Sequence, residues 1–347
     1  MAITLTSLCD LNALGFDAII DVRAPSEYGD DHLPGAINLP VLDDAERARV
    51  GTIYKQVSPF SARKIGAALV AANAARHLQG ALADKPGSWR PLVYCWRGGQ
   101  RSGSFATILG QIGWRVDTIA GGYKAWRGLV VQALYDQPFL PPMVVLDGNT
   151  GSAKTEVLAL LAQRGVQVID LEGLANHRGS LFGAMGPQPS QRSFEGALAL
   201  RIARLDPSRP VVVEAESSKV GECRLPPSIW KAMQHAPRIA IATSRAVRAA
   251  YLTHAYSDLT VDTDRLAQVI DRLRATHPAE RIAAWQALAA SGAFEQLAKE
   301  LMQHHYDPRY EKHRARMDVS LREINVDDLR PDSLAKLSDQ LILMIAG

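Results

Sequence analysis

Cysteine is scarce in this chain: its 347 residues include three, Cys9, Cys95 and Cys223. No CxxC pair and no close Cys/His cluster occurs, which argues against a disulfide framework and against a structural zinc site. The thiols are therefore expected to stay reduced, and no metal centre is expected. Long apolar runs are also missing. No stretch reaches the roughly 18 apolar residues that a membrane span needs, and Met1 to Asp10 lacks a basic start followed by an apolar segment. These absences predict a cytoplasmic protein with no membrane association. Charge of either sign is barely in excess, since 39 Lys and Arg face 36 Asp and Glu. The total thus permits a nucleic-acid partner without demanding one. Repeats and low-complexity segments are absent, which removes solenoids and extended disorder.

The length exceeds one ordinary core and implies two or three domains. In the first part, apolar runs at Asp17–Val22, Leu92–Tyr94 and Arg115–Ile119 alternate with helical stretches at Ile65–Leu82 and Ser102–Ile112. Such alternation predicts a parallel α/β sheet. Pro138-Phe139-Leu140-Pro141-Pro142 suits a linker, after which the strand Met143–Asp147 opens a second α/β unit. From Asp262 onward the pattern is mostly amphipathic helix. The expected division is 1–137, a linker at 138–142, 143–261, and a helical region at 262–347.

Within the first unit, Cys95 ends an apolar run and opens the loop Trp96-Arg97-Gly98-Gly99-Gln100-Arg101-Ser102. A short strand delivers the sulfur, the loop turns backbone N–H groups toward it, and Arg97 and Arg101 add positive charge, so a reactive thiolate is expected. The helix that follows places the thiol at a helix N-terminus, where an anion is favoured. Cys9 and Cys223 have no comparable loop and read as structural thiols. Asp21 and Arg23 either brace this loop as a pair or face substrate, with bracing the expected role; His32 reads as a turn residue.

The second unit carries Gly148-Asn149-Thr150-Gly151-Ser152-Ala153-Lys154-Thr155 between a strand and a helix, the context of a P-loop. Ala153 stands where glycine usually precedes the lysine, and its methyl is expected to crowd the approach of phosphate. Lys154 would meet terminal phosphates. Mg²⁺ is compatible with Thr155 and with Glu214 at the end of the strand 210–213. His177 either contacts substrate or makes structural hydrogen bonds. Two basic clusters, Arg238, Arg245 and Arg248, and Arg309, Lys312, His313, Arg314 and Arg316, are either nucleic-acid contacts or solvated faces.

Asp21-Val22-Arg23, Asp31-His32-Leu33-Pro34-Gly35, the Cys95 loop and Gly121-Gly122-Tyr123-Lys124-Ala125-Trp126 together resemble a rhodanese domain, over most of residues 10–130. That domain implies a cysteine carrying sulfur or selenium as persulfide or perselenide, a role Cys95 inherits. Arg101 falls six residues after Cys95, one more than in simple sulfurtransferases, as in loops that embrace a tetrahedral phosphate. A rhodanese-like parallel-sheet domain followed by a P-loop NTPase-like α/β domain with a helical C-terminal portion, together with Asp170–Ser180, Gln188–Glu195 and Glu214–Ser217, resembles the bacterial tRNA 2-selenouridine synthase family.

The resemblance implies a transferase that converts wobble 2-thiouridine in tRNA to 2-selenouridine through an S-geranylated intermediate. Geranyl diphosphate and selenophosphate would be its substrates, tRNA its macromolecular partner, a selenophosphate-supplying protein a further partner, and no tightly bound cofactor is needed. Lys154 and Thr155, with Arg178 and Arg192, would hold the diphosphate leaving group, and nucleotide hydrolysis would not be required. Cys95, Arg97, Arg101 and the Gly98-Gly99 backbone would serve selenophosphate. The competing readings are a persulfide-carrying sulfurtransferase fused to a nucleotide-binding module, a phosphatase, and a non-enzymatic binding module.

Overall fold

Short runs of Val, Ile and Leu that are buried on both faces build a parallel sheet in each of two units of the chain. The computed structural model describes residues 1–315 and 319–346. One unit takes residues 1–138 and 189–204, and the other takes 139–188 and the chain from Leu205 onward.

In the first unit, β1 (Ala2–Ile3), β2 (Ala18–Asp21), β3 (Ala36–Asn38), β4 (Pro91–Tyr94) and β5 (Asp117–Ile119) lie in the order β1-β5-β4-β2-β3, all parallel. Ile20 and Val93 of the central strands meet Phe105 and Leu109 of the helix Gln100–Gln111 in one apolar core. The strand ends carry the polar work. Asp21 is fully buried and accepts from Arg23 Nη2 at 2.6 Å and Nε at 2.9 Å, while Nη2 also donates to the Asp31 carbonyl at 2.6 Å. The Arg23 guanidinium stands 4.1 Å from the Tyr123 ring centroid, and the Tyr123 hydroxyl donates to Asp31 at 2.8 Å. Asp21 and Arg23 thus form an internal brace.

The Cys95 loop is fastened from behind by the start of the helix Gly122–Val131. Tyr123 N–H donates to the Cys95 carbonyl at 2.9 Å and Lys124 N–H to the Trp96 carbonyl at 3.0 Å. This approach requires Gly122, whose φ is +56° and whose hypothetical Cβ would overlap the Cys95 carbonyl and lie 2.5 Å from Gly98 N.

In the second unit, β6 (Met143–Gly148), β7 (Gln167–Ile169), β8 (Val211–Glu214), the small antiparallel ribbon of β9 (Lys219–Val220) and β10 (Cys223–Arg224), β11 (Arg238–Ala242) and β12 (Leu321–Asn325) appear in chain order. The parallel sheet runs β12-β11-β6-β8-β7. Leu146, Val212 and Ile241 pack against Val157 and Leu161 of the helix Lys154–Gln163 and Leu337 and Leu341 of the helix Pro331–Ala346. A separate apolar cluster, with Leu266, Ile270, Ile282, Trp285 and Leu297, joins the helices between residues 257 and 301.

The structure divides the chain differently from the sequence reading at two places. The helix Gln191–Ala203 belongs to the first unit, where Glu195 pairs with Arg127 and accepts from the Tyr135 hydroxyl at 2.6 Å. The region after Asp262 is not a separate helical domain, because β12 completes the P-loop sheet and the helix Pro331–Ala346 covers it. Leu-Arg-Glu-Ile-Asn is largely exposed and charged, as edge strands commonly are, so it lacks the apolar run by which strands are read.

Gly122→Ala is expected to destabilise the first unit by about 2–4 kcal/mol through clash and backbone strain. Gly110→Ala, in a helix where a Cβ meets nothing within 4 Å, is the matched control and should be neutral or stabilising by under about 1 kcal/mol. Denaturant midpoints of the two variants check this.

Candidate functional site

Cys95 follows a wholly buried strand and is itself 3 % exposed, seven residues before Ser102 in the first turn of the helix Gln100–Gln111. The Ser102 hydroxyl lies 3.2 Å from Cys95 Sγ and also 3.2 Å from the Gly99 carbonyl. Burial opposes ionisation of the thiol, but hydrogen bonds from the Ser102 hydroxyl and N–H, the Arg101 charge and the Gly99 N–H outweigh it, so Cys95 lies below the ordinary thiol range. Arg101 is held at this distance by Glu27, with Nη1 to Oε2 at 2.7 Å. Glu27 also accepts from Ala24 N–H at 3.1 Å. Trp96 is half-buried against Tyr123, and Arg97, Gly98, Gly99 and Gln100 are exposed. The loop therefore presents a polarised, nucleophilic sulfur beneath an open rim.

The second site lies at the carboxyl ends of β6, β8 and β11, where parallel α/β sheets place their ligands. A pocket of about 680 Å³ is lined there by Thr150 to Thr155 and by residues from distant segments, among them Glu172, Arg178, Glu216, Arg238 and Arg314. Lys154 Nζ donates to the Gly148 carbonyl at 2.7 Å. Asn149 Nδ2 donates to Asp307 at 3.0 Å, fixing the loop's flank. Ala153 adopts φ +57°, a left-handed conformation that costs a non-glycine residue roughly 1–2 kcal/mol. Its methyl is buried with Leu146 and Val157. The departure from glycine therefore carries backbone strain at a residue that both packs on the core and lines the pocket.

Asp147 organises the pocket's positive charge. Its carboxylate accepts from Arg238 Nη1 at 3.1 Å, Arg314 Nη2 at 2.7 Å and Gly148 N–H at 2.6 Å. Burial opposes its ionisation, yet Arg314 and the other donors hold its carboxyl below the usual range. Arg238 is 2 % exposed, and neither its Nε and Nη2 nor Arg314 Nε finds a partner among the described residues. Buried guanidinium N–H groups left this way are costly, and an oxyanion would satisfy them.

Carboxyls occupy the opposite wall. Thr155 Oγ1 donates to Glu172 at 3.1 Å, and Glu172 N–H donates to Glu214 at 2.7 Å. Burial, with Asp170 nearby, pushes Glu214 well above the carboxylate range; burial and Glu172 do the same for Glu216. Glu214 is thus a buried support, and the carboxylate beside Thr155 is Glu172. Among the described residues, no group of three or more His, Cys, Asp or Glu is arranged to hold a metal.

A family model described as tRNA 2-selenouridine synthase AAA domain matches residues 141–323, and a rhodanese-like domain model matches residues 7–129. The chain is similar to proteins named tRNA 2-selenouridine synthase. It is 38 % identical over 262 residues to one from Shewanella denitrificans, covering 74 % of this chain and 68 % of that protein. It is 37 % identical over 245 residues to one from Shewanella halifaxensis, covering 69 % and 65 %, and 36 % identical over 297 residues to one from Nitrosomonas europaea, covering 82 % and 76 %. The chain belongs to the tRNA 2-selenouridine synthase family.

In this member of the tRNA 2-selenouridine synthase family, the expected site residues separate into three groups. The Cys95 loop and Thr150 to Thr155 stand where their motifs placed them, with Arg178 on the pocket wall and paired to Asp258 at 3.0 Å. Arg192 is corrected: it lies in the first unit, bound to Asp30 at 2.5 Å, and does not line the P-loop pocket. His177 does not line it either; its buried Nδ1 has no partner among the described residues, and burial lowers its pKa.

In the first basic cluster two of the three arginines are buried and Arg245 is exposed. Arg238 is buried on Asp147, Arg248 is buried on Asp307 at 2.9 Å, and Arg245 reaches the same Asp307 at 3.3 Å. In the second cluster Arg309 and Lys312 are exposed and Arg314 is turned onto Asp147, while Arg316 lies outside the described residues. Glu172 and Glu216 were not singled out, although each lies inside a segment that carried the resemblance, Asp170–Ser180 and Glu214–Ser217.

Ser102→Ala is expected to move the Cys95 thiol upward and to slow its alkylation at neutral pH by roughly five- to tenfold, because a hydrogen bond to a charged group is lost. Iodoacetamide labelling across pH checks this: the midpoint should shift to higher pH in the variant. An unchanged profile would remove Ser102 from thiol activation.

Proposed function

We propose that this chain converts wobble 2-thiouridine in tRNA to 2-selenouridine in two steps, S-geranylation followed by replacement of sulfur with selenium. The observation that carries the reading is the presence of two separately built anion sites. One centres on an activated thiol, and the other on a P-loop flanked by unpaired arginine N–H groups. The names of the relatives supply tRNA and 2-selenouridine.

In the first step the 2-thio sulfur bonds to C1 of the geranyl group as the C–O bond breaks, and the base loses its N3 proton. Diphosphate departs with the electron pair. Lys154, Arg238 and Arg314 offset the charge that develops on the leaving oxygen. Thr155 and Glu172 are the residues that would hold Mg²⁺, which would supply further charge neutralisation.

In the second step the selenium of selenophosphate, bound at the Cys95 loop, forms the C2–Se bond while the C2–S bond breaks, and water then cleaves the P–Se bond to release orthophosphate. Geranylthiol leaves with a proton. The loop amides and Arg101 stabilise the selenophosphate oxyanion and the Cys95 thiolate.

Nucleoside mass spectrometry of 2-thiouridine tRNA, supplied with geranyl diphosphate and selenophosphate, tests this division. Wild-type protein should yield 2-selenouridine, whereas Cys95→Ser should accumulate the geranylated nucleoside. No modified nucleoside from folded wild-type protein, with activity toward thiosulfate instead, would show a sulfurtransferase fused to a nucleotide-binding module.

A further inference from the structure

Between Arg47 and Ala83 the chain holds six Arg and Lys and no Asp or Glu, although the whole chain is nearly balanced at 39 against 36. That stretch forms most of a helical hairpin in the first unit, where the helices Asp44–Gln56 and Pro59–Gln79 pack together across the turn Val57-Ser58. The turn is held by its own backbone: Val57 and Ser58 N–H both donate to the Ile53 carbonyl at 3.0 Å, and the Ser58 hydroxyl accepts from Phe60 N–H at 3.2 Å. Its large apolar side chains stay in water, with Tyr54 53 % exposed, Val57 72 % and Phe60 74 %. Arg63 and Lys64, three and four residues after Phe60, share its face of the helix. They and Lys55 are exposed and pair with no carboxylate among the described residues. The other end of the hairpin lies at the thiol site. Arg47 Nε is 3.8 Å from the Glu27 oxygen that accepts from Arg101 Nη1 at 2.7 Å, and Asp44 accepts from the Ser26 hydroxyl at 2.5 Å. Ten residues of helix, about 15 Å, separate Arg47 from the turn, a length that crosses several phosphates of a nucleic-acid backbone.

We propose that the tip of this hairpin is a tRNA-docking surface, on which Lys55, Arg63 and Lys64 meet phosphates while Tyr54 and Phe60 stack on unpaired bases of the anticodon arm. The inference rests on tRNA as the substrate proposed above and adds the surface that presents its base to the Cys95 loop. Unpaired cations interleaved with exposed aromatic rings suit single-stranded nucleic acid, because every phosphate takes a cation and every base offers a face to a ring. A second copy of the chain fits less well, since it would bring the same positive tip against itself.

Fluorescence anisotropy of a 2-thiouridine-bearing tRNA with the full chain, over a series of salt concentrations, tests this. Wild type is compared with the triple variant Lys55→Gln, Arg63→Gln, Lys64→Gln, with Phe60→Ala, and with a control, Lys231→Gln, Arg322→Gln, Lys336→Gln, which removes three exposed charges from the second unit. The hairpin triple variant should bind about tenfold or more weaker at low salt and flatten the slope of log affinity against log salt by about two units. Phe60→Ala should bind about fivefold or more weaker with the slope unchanged, and the control should stay close to wild type in both. Alkylation of Cys95 at the wild-type rate shows that the first unit of each variant is folded. If the hairpin triple variant keeps wild-type affinity and slope, or the control loses as much as it does, the docking surface is overturned and tRNA remains the substrate. If wild type binds no tRNA, the proposed function fails together with the surface. If Phe60→Ala abolishes self-association in sedimentation and leaves tRNA binding unchanged, the tip is a contact between copies and the stacking is overturned.

Discussion

Carboxylates at the ends of buried parallel strands hold arginines in place, and both candidate sites depend on that pairing. Asp147, next to last in β6, fixes Arg238 and Arg314 while neutralising only one of their charges. The remainder is buried beside Lys154, where an incoming oxyanion gains most because little water competes. Removing one partner from such a buried group leaves an uncompensated charge, typically a cost of about 3–5 kcal/mol. Asp21 has the corresponding place in the first unit: it ends β2, holds Arg23, and through Arg23 supports Tyr123 and Asp31 behind the Cys95 loop. The two strand ends use one device for different purposes. The first holds a thiol loop in shape, and the second keeps guanidinium groups available to a ligand.

The two sites also differ in how they treat charge. At Cys95 the polarising groups are short-range and weakly cationic, since Arg101 is already shared with Glu27. They favour a thiolate, and the exposed rim leaves the loop amides open to an incoming anion. In the P-loop pocket Arg238 and Arg314 share the single carboxylate of Asp147, while Glu216 in the lining and the buried Glu214 are pushed toward their neutral forms by burial. Such a pocket suits a leaving group with several negative oxygens. It supplies no nucleophile of comparable reactivity, which matches a step in which the substrate's own sulfur attacks.

Contiguous motifs made the Cys95 loop and the P-loop legible in the sequence, because a strand, a glycine-rich turn and a helix follow one another within a dozen residues. What assembles from afar was not legible. Arg238 and Arg314 come from two segments 76 positions apart and meet on Asp147 only through the register of β6 with β11 and the placement of the helix Asp307–Arg314. Their spacing in the chain resembled surface charge, so they read as either nucleic-acid contacts or solvated faces. Arg192 failed for the converse reason: it sits in a segment resembling the P-loop partner, but its helix folds with the first unit. Ala153 was recognised as a departure from glycine, but its left-handed backbone, which carries the strain, is visible only in the structure. The edge strand β12 carried too little apolar sequence to be seen.

The claim that the two loops act independently on successive intermediates is tested most directly by supplying tRNA already S-geranylated at 2-thiouridine to Lys154→Ala protein, with selenophosphate and without geranyl diphosphate. Formation of 2-selenouridine at the wild-type rate is expected, since the P-loop's task is complete before the protein is added. Absence of 2-selenouridine from folded Lys154→Ala protein, when wild type forms it from the same tRNA, would contradict the division and make the P-loop part of selenium transfer.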